Sequence, residues 1–250
     1  HTAYRRQRQM CIRDSSFTVD KQENIANIVA EAFHIATSGR QGPVLIDVPK
    51  DLTNPDDLFD FVYPDKVHVR SYNPPIKPEN HQVSRAVDAI LASERPVIYA
   101  GGGTISSNAS KELRELNDLI DAPVTNTLMG LGVFPGTHKR FLGMLGMHGT
   151  YQANMAMHNA DLIIALGARF DDRITNAPDK FAPRAKIIHF DVDHSSVSKI
   201  IEADIAVFGQ IKDSLQAINN HLKTKIDEID NEKLAPWHQQ ISDWKEKHGL

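Results

Sequence analysis

The most informative segment of the sequence is Pro96-Val97-Ile98-Tyr99-Ala100-Gly101-Gly102-Gly103, a short apolar run that ends in three glycines. A short apolar run bounded by turn residues is typical of a strand that is buried on both faces. Glycines at its end let the backbone turn tightly or approach a phosphate group closely. A helix that begins at Ser106, Ser107 or Asn108 is predicted to follow. Because the pattern is not G-x-G-x-x-G, it is consistent with a plain strand-to-helix turn as well as with a nucleotide-binding turn.

The same pattern recurs along the chain. Further apolar runs typical of strands lie at residues 44–48, 123–125, 162–166, 187–190 and 205–208. Segments with the apolar period of an amphipathic helix lie between them. Alternating strands and helices predict an α/β fold with a doubly wound, mostly parallel sheet of the Rossmann-like type. Right-handed crossovers would place the strand ends that carry the glycines on one edge of that sheet.

Five regions are predicted along the chain. Residues 16–51 form the terminal αβ unit of a truncated α/β domain, and proline-rich residues 52–77 form a linker. Residues 78–225 form the central domain, which carries the glycine turns. Residues 226–250 are a connector and helix toward a further domain. Arginine-rich residues 1–15 have almost no apolar periodicity and are predicted to be a disordered or non-native tail.

Local signals describe the first and the last predicted helix. Asp20 and Glu23 resemble a capping box at the start of the first helix, and Gly39 is placed to end it. Trp237 and Trp244 are seven residues apart, which is two helical turns, so both are expected to face the same way in the last helix.

Composition excludes several classes of protein. The chain has 250 residues, with 28 basic and 32 acidic side chains and a net charge of −4. It therefore has no strong basic field for nucleic acid, and no run approaches the roughly 20 apolar residues of a membrane helix. The single cysteine, Cys11, excludes an internal disulfide and a cysteine-rich zinc site. His148 and His158 lack the spacing of a helical metal pair, so we expect no metal site.

Two further strand ends carry charged residues. The segment Gly167-Ala168-Arg169-Phe170-Asp171-Asp172-Arg173 follows a predicted strand, and arginine suits bidentate binding of phosphate. The same charges are also consistent with a solvated salt-bridge cluster. Asp191 ends another strand, where an acid can accept hydrogen bonds from ribose hydroxyls. Asp193 is expected to cap a helix over residues 195–201.

A glycine-rich segment, Gly143-Met144-Leu145-Gly146-Met147-His148-Gly149-Thr150, combines close backbone approach with methionines that suit a flat aromatic surface. His148 taken alone is more often structural than catalytic. The sequence has no nucleophile elbow and no evident Ser/His/Asp arrangement. The residues therefore predict a dinucleotide-binding sheet without catalytic apparatus.

These segments together resemble one family, the catalytic subunit of acetohydroxyacid synthase (acetolactate synthase), which uses thiamine diphosphate. The most specific are Leu145-Gly146-Met147-His148-Gly149-Thr150 and Arg169-Phe170-Asp171-Asp172-Arg173. The segments Thr127-Leu128-Met129-Gly130-Leu131-Gly132 and Ser38 through Asp51 also match. Within the second segment, the short run Pro43-Val44-Leu45-Ile46-Asp47 is shared more widely among thiamine-diphosphate enzymes. The resemblance covers residues 16–250.

The resemblance implies an activity and its cofactors. The family condenses two pyruvates, or pyruvate and 2-oxobutanoate, with loss of carbon dioxide in branched-chain amino-acid biosynthesis. Its central domain binds FAD, whose role is largely structural, and its first and third domains hold thiamine diphosphate and Mg²⁺. The chain would then contain the end of the first domain, the whole central domain and the link to the third. No catalytic residue lies in it, and the isolated chain is expected to be inactive.

The resemblance also assigns residues. Those that would contact FAD are Arg40, Gly101, Gly102, Gly103, Thr127, Leu128, Leu145, Gly146, Met147, His148, Gly167, Ala168, Arg169, Asp171, Arg173, Asp191 and Val192. Those that would lie toward the substrate channel are Lys50, Met147, His148, Asp172 and Arg173. One departure is Gln210, which stands where the family usually has aspartate; its neutral amide can still form hydrogen bonds.

The implied partners are small 2-oxo acids, further copies of the chain in a homo-oligomer, and a small regulatory subunit. The implied location is cytoplasmic in a bacterium and organellar in a eukaryote. Two alternatives remain: another FAD-containing thiamine-diphosphate enzyme of the glyoxylate carboligase or pyruvate oxidase type, and a stand-alone nucleotide-binding module. A sirtuin-like deacylase, suggested by residues 100–106, needs a four-cysteine zinc site that one cysteine cannot supply.

Overall fold

The computed structural model describes residues 15–70 and 72–248. The chain divides into two units, with the boundary between Pro74 and Pro75. The predicted tail, with Cys11, lies outside the described residues except for Ser15, which begins a strand.

The first unit is a small αβ unit. Strand β1 (Ser15–Thr18) pairs in parallel with β2 (Val44–Asp47), and helix α1 (Ile25–Thr37) connects them. A 3₁₀ turn at Lys50–Thr53 follows β2. The strand at residues 44–47 was predicted from its apolar run, whereas β1 was not.

The ends of α1 differ in how well the sequence predicted them. Gly39 has φ +56° just after the helix, as a terminating glycine should. The capping box at Asp20 is wrong, because a 3₁₀ turn at Gln22–Asn24 precedes the helix. The carboxylate of Asp20 instead accepts a hydrogen bond from the side chain of Asn24 at 2.7 Å.

The second unit contains a six-stranded, fully parallel sheet with the strand order β5-β4-β3-β6-β7-β8. The strands are β3 (Pro96–Ala100), β4 (Val124–Asn126), β5 (Phe141–Met144), β6 (Leu162–Leu166), β7 (Lys186–Asp191) and β8 (Ile205–Phe208). Counted within this unit, the order is 3-2-1-4-5-6, that of the Rossmann fold. The predicted fold class is confirmed.

Seven α-helices accompany this sheet in the described part of the unit. They are α2 (Asn80–Ala92), α3 (Gly102–Ser106), α4 (Ser110–Ile120), α5 (Tyr151–Asn159), α6 (Asp172–Thr175), α7 (Ile211–Thr224) and α8 (Ala235–His248). Among the described residues, none of the helices has the length and apolar character needed to cross a membrane.

Two local predictions in this unit are wrong. The helix after the triple glycine begins at Gly102 rather than near Ser106–Asn108. Residues 195–201 form turns rather than a helix. In addition, β5 was not predicted, since its four residues include a glycine.

Buried side chains alternate between the two faces of the sheet. Ile98, Ile164 and Ile188 point to a core shared with α2, α4 and α7, whereas Tyr99 and Ile163 point to a core shared with α5 and α8. Full burial of each large apolar side chain contributes roughly 1.5–3 kcal/mol. Both faces are therefore covered, which explains why the strands are continuous apolar runs.

The last helix, α8, packs into the second of these cores. Trp237 is 2% exposed, and its indole N–H donates to the carbonyl of Pro96 at 3.2 Å. Trp244 packs edge-on against Trp237 with 5.8 Å between ring centroids. The prediction that the two tryptophans face the same way is confirmed, and the predicted connector includes a helix that belongs to this unit.

Candidate functional site

The strand order creates a switch point at the carboxyl edge of the six-stranded sheet. β3 and β6 are neighbours, yet the chain continues from β3 toward β4 and from β6 toward β7, on opposite sides. The loops that leave β3 and β6 therefore separate. In open α/β sheets, ligands bind at such a switch point.

Two glycine turns meet backbone to backbone at this switch point. The N–H of Gly103 donates to the carbonyl of Gly167 at 3.1 Å. A Cβ atom on Gly103 would lie 2.8 Å from the Cα of Gly167, and one on Gly167 would lie 2.6 Å from the Cα of Gly103. Gly167 also has φ +56°. The predicted glycine positions are therefore explained by close packing of the two turns.

The turn after β4 lies beside the triple glycine and presents apolar side chains. The hydroxyl of Thr127 accepts a hydrogen bond from the N–H of Gly130 at 3.0 Å, and the N–H of Thr127 donates to Ala100. Leu128 and Met129 are 68% and 74% exposed. This part of the edge offers an apolar surface to solvent or to a ligand.

The loop after β5 is held against the segment after β6. The N–H of Met147 donates to the carbonyl of Arg173 at 3.1 Å. The side chain of Asn154 exchanges two hydrogen bonds with the backbone of Gly146, at 3.0 and 3.1 Å. Leu145 is buried, whereas Met147 and His148 are exposed. The structure thus brings the two most specific sequence motifs into contact.

The charged segment after β6 surrounds one carboxylate. Asp171 caps α6 by accepting a hydrogen bond from the backbone N–H of Arg173 at 3.1 Å. That bond is the main reason why the pKa of Asp171 is lowered, and Asp172 and the charges of Arg169 and Arg173 lower it further. Arg169 is exposed beside the switch point. This geometry is compatible with both predicted roles, a phosphate ligand and a solvated charge cluster.

The next strand along the sheet ends in Asp191, followed by Val192. The Oδ1 atom of Asp191 accepts a hydrogen bond from the N–H of Asp193 at 2.9 Å. The carboxylate of Asp193 accepts from Ser195 and Ser196, each at 2.9 Å. Asp193 therefore stabilises a local turn, and the predicted helix cap is wrong because no helix follows.

Gln210 links the triple-glycine region to the start of α7. Its side-chain Oε1 accepts a hydrogen bond from the hydroxyl of Ser107 at 3.1 Å, and its N–H donates to Ile76 at 3.0 Å. The amide at this position thus forms a hydrogen bond, as the sequence predicted it could.

Most of the predicted site residues lie at this carboxyl edge. They are Gly101–Gly103, Thr127, Leu128, Leu145–His148, Gly167–Arg169, Asp171–Arg173, Asp191 and Val192. Arg40 and Lys50 belong to the first unit, where Arg40 follows Gly39 and Lys50 begins a 3₁₀ turn. Among the described residues, no group of three His, Cys, Asp or Glu side chains is arranged to hold a metal ion.

Sequence reasoning missed two polar side chains beneath the edge. Tyr99 and His189 are fully buried in the sheet. Burial raises the pKa of Tyr99, with the charge of Asp171 adding to the effect, and burial lowers the pKa of His189. A histidine inside an otherwise apolar strand was the available signal.

The strand order, the paired glycine turns and the acid at the next strand end define a domain of the Rossmann-like α/β class. A family model described as "Thiamine pyrophosphate enzyme, central domain" matches residues 83–218. The chain belongs to this family.

The curated relatives that the chain matches are named acetolactate synthase large subunits. The chain is 47% identical over 235 residues to the acetolactate synthase large subunit of Buchnera aphidicola from Acyrthosiphon pisum, covering 94% of the chain and 41% of the relative. It is 43% identical over 235 residues to the acetolactate synthase isozyme 3 large subunit of Escherichia coli K12, with the same coverage. For the acetolactate synthase large subunit of Corynebacterium glutamicum the identity is 41% over 228 residues, with 91% and 36% covered. The chain thus spans about two fifths of these relatives' length.

Proposed function

We propose that this chain forms the FAD-binding central part of an acetolactate synthase large subunit. The observation that carries the proposal is the meeting of Gly103 and Gly167 at the switch point of a sheet with Rossmann strand order. That geometry supports a dinucleotide lying across the edge, with its phosphates near the glycine turns. The identity to proteins named acetolactate synthase supports the kind of enzyme.

The residues at the edge fit FAD in their chemistry. Exposed Leu128, Met129 and Met147 suit a flat aromatic ring. The cationic Arg169 suits a diphosphate, and the carboxylate of Asp191 suits ribose hydroxyls. A side chain at position 102 would crowd Met129, because its Cβ would lie 3.2 Å from the Cβ of that residue. Glycine at this position keeps the space free.

In the proposed role, FAD stabilises the arrangement of the edge and supplies no net redox chemistry to the main reaction. The chain's own residues would bind and orient it. The backbones of Met147 and Arg173 are hydrogen-bonded at 3.1 Å, and His148 and Asp172 are their neighbours in the chain. We assign these four residues to the approach of the 2-oxo acid substrate. Lys50 belongs to the first unit, and its assignment to the substrate rests on the family resemblance alone.

The whole protein would carry out the condensation of two pyruvates, or of pyruvate and 2-oxobutanoate, with decarboxylation. Thiamine diphosphate and Mg²⁺ would be bound outside this chain, and the chain by itself would be inactive. Relatives named acetolactate synthase favour this activity over the glyoxylate carboligase and pyruvate oxidase types. The name "large subunit" supports a small regulatory subunit as a partner, and we further propose self-association of the large subunit.

A titration of the 250-residue chain with FAD, followed by the change in flavin fluorescence, tests the proposal. We expect saturable binding of FAD and no response to NAD. Binding of NAD without binding of FAD would overturn the assignment, and it would favour the stand-alone nucleotide-binding module. Binding of neither nucleotide would also contradict the proposed FAD site.

A further inference from the structure

Three side chains lie in register beneath the carboxyl edge, on the face of the sheet that α5 and α8 cover. Tyr99 of β3 is opposite Ala165 of β6, which is opposite His189 of β7. Phe170 packs on the two polar rings, with centroids 5.7 Å from Tyr99 and 5.2 Å from His189. Tyr99 and His189 are both inaccessible to solvent. The cluster therefore lies directly under the turn that follows β6.

The buried imidazole of His189 lowers the stability of the fold at this position. Neither ring nitrogen forms a hydrogen bond of good geometry to a described residue. The backbone of Ala168 lies close enough to raise the pKa of the ring, but this contact is weaker than the desolvation that lowers it. Buried polar groups are normally hydrogen-bonded, and an unsatisfied one destabilises the fold. An apolar side chain would avoid that cost at the same position. Packing therefore does not explain the imidazole, and a role in function would.

His189 faces the carboxylate at the end of its own strand. Asp191 is two residues further along β7, so the two side chains lie on the same face. The Nε2 atom of His189 is 3.9 Å from the Oδ2 atom of Asp191. Closing this gap by about 1 Å gives a hydrogen bond of ordinary length. Because burial lowers the pKa of His189, its ring is neutral at pH 7 and has one N–H to donate.

The same ring supports the turn after β6. Phe170 has φ +53°, a conformation that non-glycine residues rarely adopt and that surrounding contacts must hold in place. Its ring meets His189 edge-on and also packs on Tyr99. His189 thus contacts the turn that carries Arg169 and faces the carboxylate of Asp191, two groups on neighbouring strands of the proposed nucleotide site.

We infer that His189 is a positioning residue of the nucleotide site, which fixes the Asp191 carboxylate and the turn at Phe170 for the ligand. The inference rests on the proposed FAD site. It implies that an apolar replacement of His189 weakens ligand binding without weakening the fold.

The variants His189→Phe and His189→Met, made in the 250-residue chain, separate affinity from stability. We expect FAD affinity to fall about tenfold, the lower end of the loss seen at metal sites when a side chain that orients a ligand residue is removed. We expect Tm to stay the same or rise, because an unsatisfied buried group is removed. The methionine variant decides the outcome if the larger phenylalanine ring lowers Tm by overpacking.

His238→Phe is the matched control at the opposite edge of the sheet. The ring of His238 hydrogen-bonds the carbonyl of Asp121 at 3.0 Å, before β4 begins. We expect this variant to lower Tm and to leave FAD affinity unchanged, the reverse of the result for His189.

A readout without FAD separates this inference from the proposed function. The N–H of Asp193 donates to Asp191, so we expect its hydrogen exchange to be faster in both His189 variants of the ligand-free chain. A wild-type chain that binds no FAD contradicts the proposed function, and amide exchange then decides the positioning role. Unchanged exchange at Asp193, or wild-type FAD affinity in both His189 variants, overturns the inference.

Discussion

The N–H of Gly103 donates to the carbonyl of Gly167 at 3.1 Å, which joins the turn after β3 to the turn after β6. Between these two neighbouring strands the strand order reverses, because the chain adds later strands on the β4 side of β3 and on the β7 side of β6. The contact requires two backbones to approach with no side chain between them. It therefore ties the glycine pattern of the sequence to the point where a ligand of such a sheet binds.

Gly103→Ala should lower the free energy of unfolding by about 1–3 kcal/mol, because the new methyl group overpacks against backbone that cannot move aside. Its Cβ would lie 2.8 Å from the Cα of Gly167. Gly136→Ala is the matched control, since its Cβ would meet only the ring of Phe141 at 4.0 Å. Urea unfolding measures both. Equal stability of the two variants would show that the two turns do not pack as described.

Arg169→Ala should weaken FAD binding by roughly 1.5–3 kcal/mol, the usual contribution of a charge-assisted hydrogen bond. The physical reason is the loss of a cation at the switch point that suits a diphosphate. Fluorescence titration measures the change.

Arg114→Ala removes an exposed arginine from α4 and should leave FAD affinity unchanged. If the Arg169 variant behaves like this control, Arg169 belongs to a solvated charge cluster with Asp171 rather than to a phosphate site.

Much of the fold could be predicted because its strands are buried on both faces. Residues 96–100 and 162–166 are apolar throughout, and glycine marks their ends. β5 could not be predicted in this way, because Gly143 interrupts its four residues. The prediction of a helix after Asp193 is wrong for another reason. The carboxylate of Asp193 accepts a hydrogen bond from the backbone of a local turn, and the sequence pattern of such a turn is the same as that of a helix cap.

The site could be predicted from local motifs but not from contacts across the sheet. Glycines and arginines at strand ends are visible in the sequence, and the parallel topology brings them to one edge. The pairing of Gly103 with Gly167, and the position of His189 beneath Phe170, depend on strand order and register. Those contacts join residues that are far apart in the chain.

Stability should fall as the pH is lowered from 7 to 5. Burial, then the charge of Arg140, lowers the pKa of His238, while Asp121 opposes the shift. The unfolded chain therefore takes up a proton more readily than the folded chain, so the fold loses stability below about pH 6.5 as the pH approaches the folded-state pKa. The lowered pKa of His189 acts in the same direction.

The midpoint of urea unfolding, measured from pH 7 to pH 5, checks this expectation. His238→Gln should make the fall in the midpoint smaller, because it removes one of the groups responsible. His81→Gln is a suitable control, since that side chain is 65% exposed. An unchanged pH dependence in the His238 variant would contradict the assignment.

Trp237→Ala should lower the free energy of unfolding by about 3–5 kcal/mol, the usual cost of deleting a buried tryptophan. The ring is buried in the core under α8, its N–H bonds the carbonyl of Pro96, and Arg95 lies over it at 5.8 Å. Trp244→Ala should cost less, because Trp244 is only partly buried. Thermal and urea unfolding of both variants measure the difference.

A single, cooperative transition at lower stability would show that α8 folds with the central sheet. An unchanged midpoint for Trp237→Ala would show that residues 235–248 are only a connector, because an integral helix cannot lose its main buried side chain without destabilising the unit.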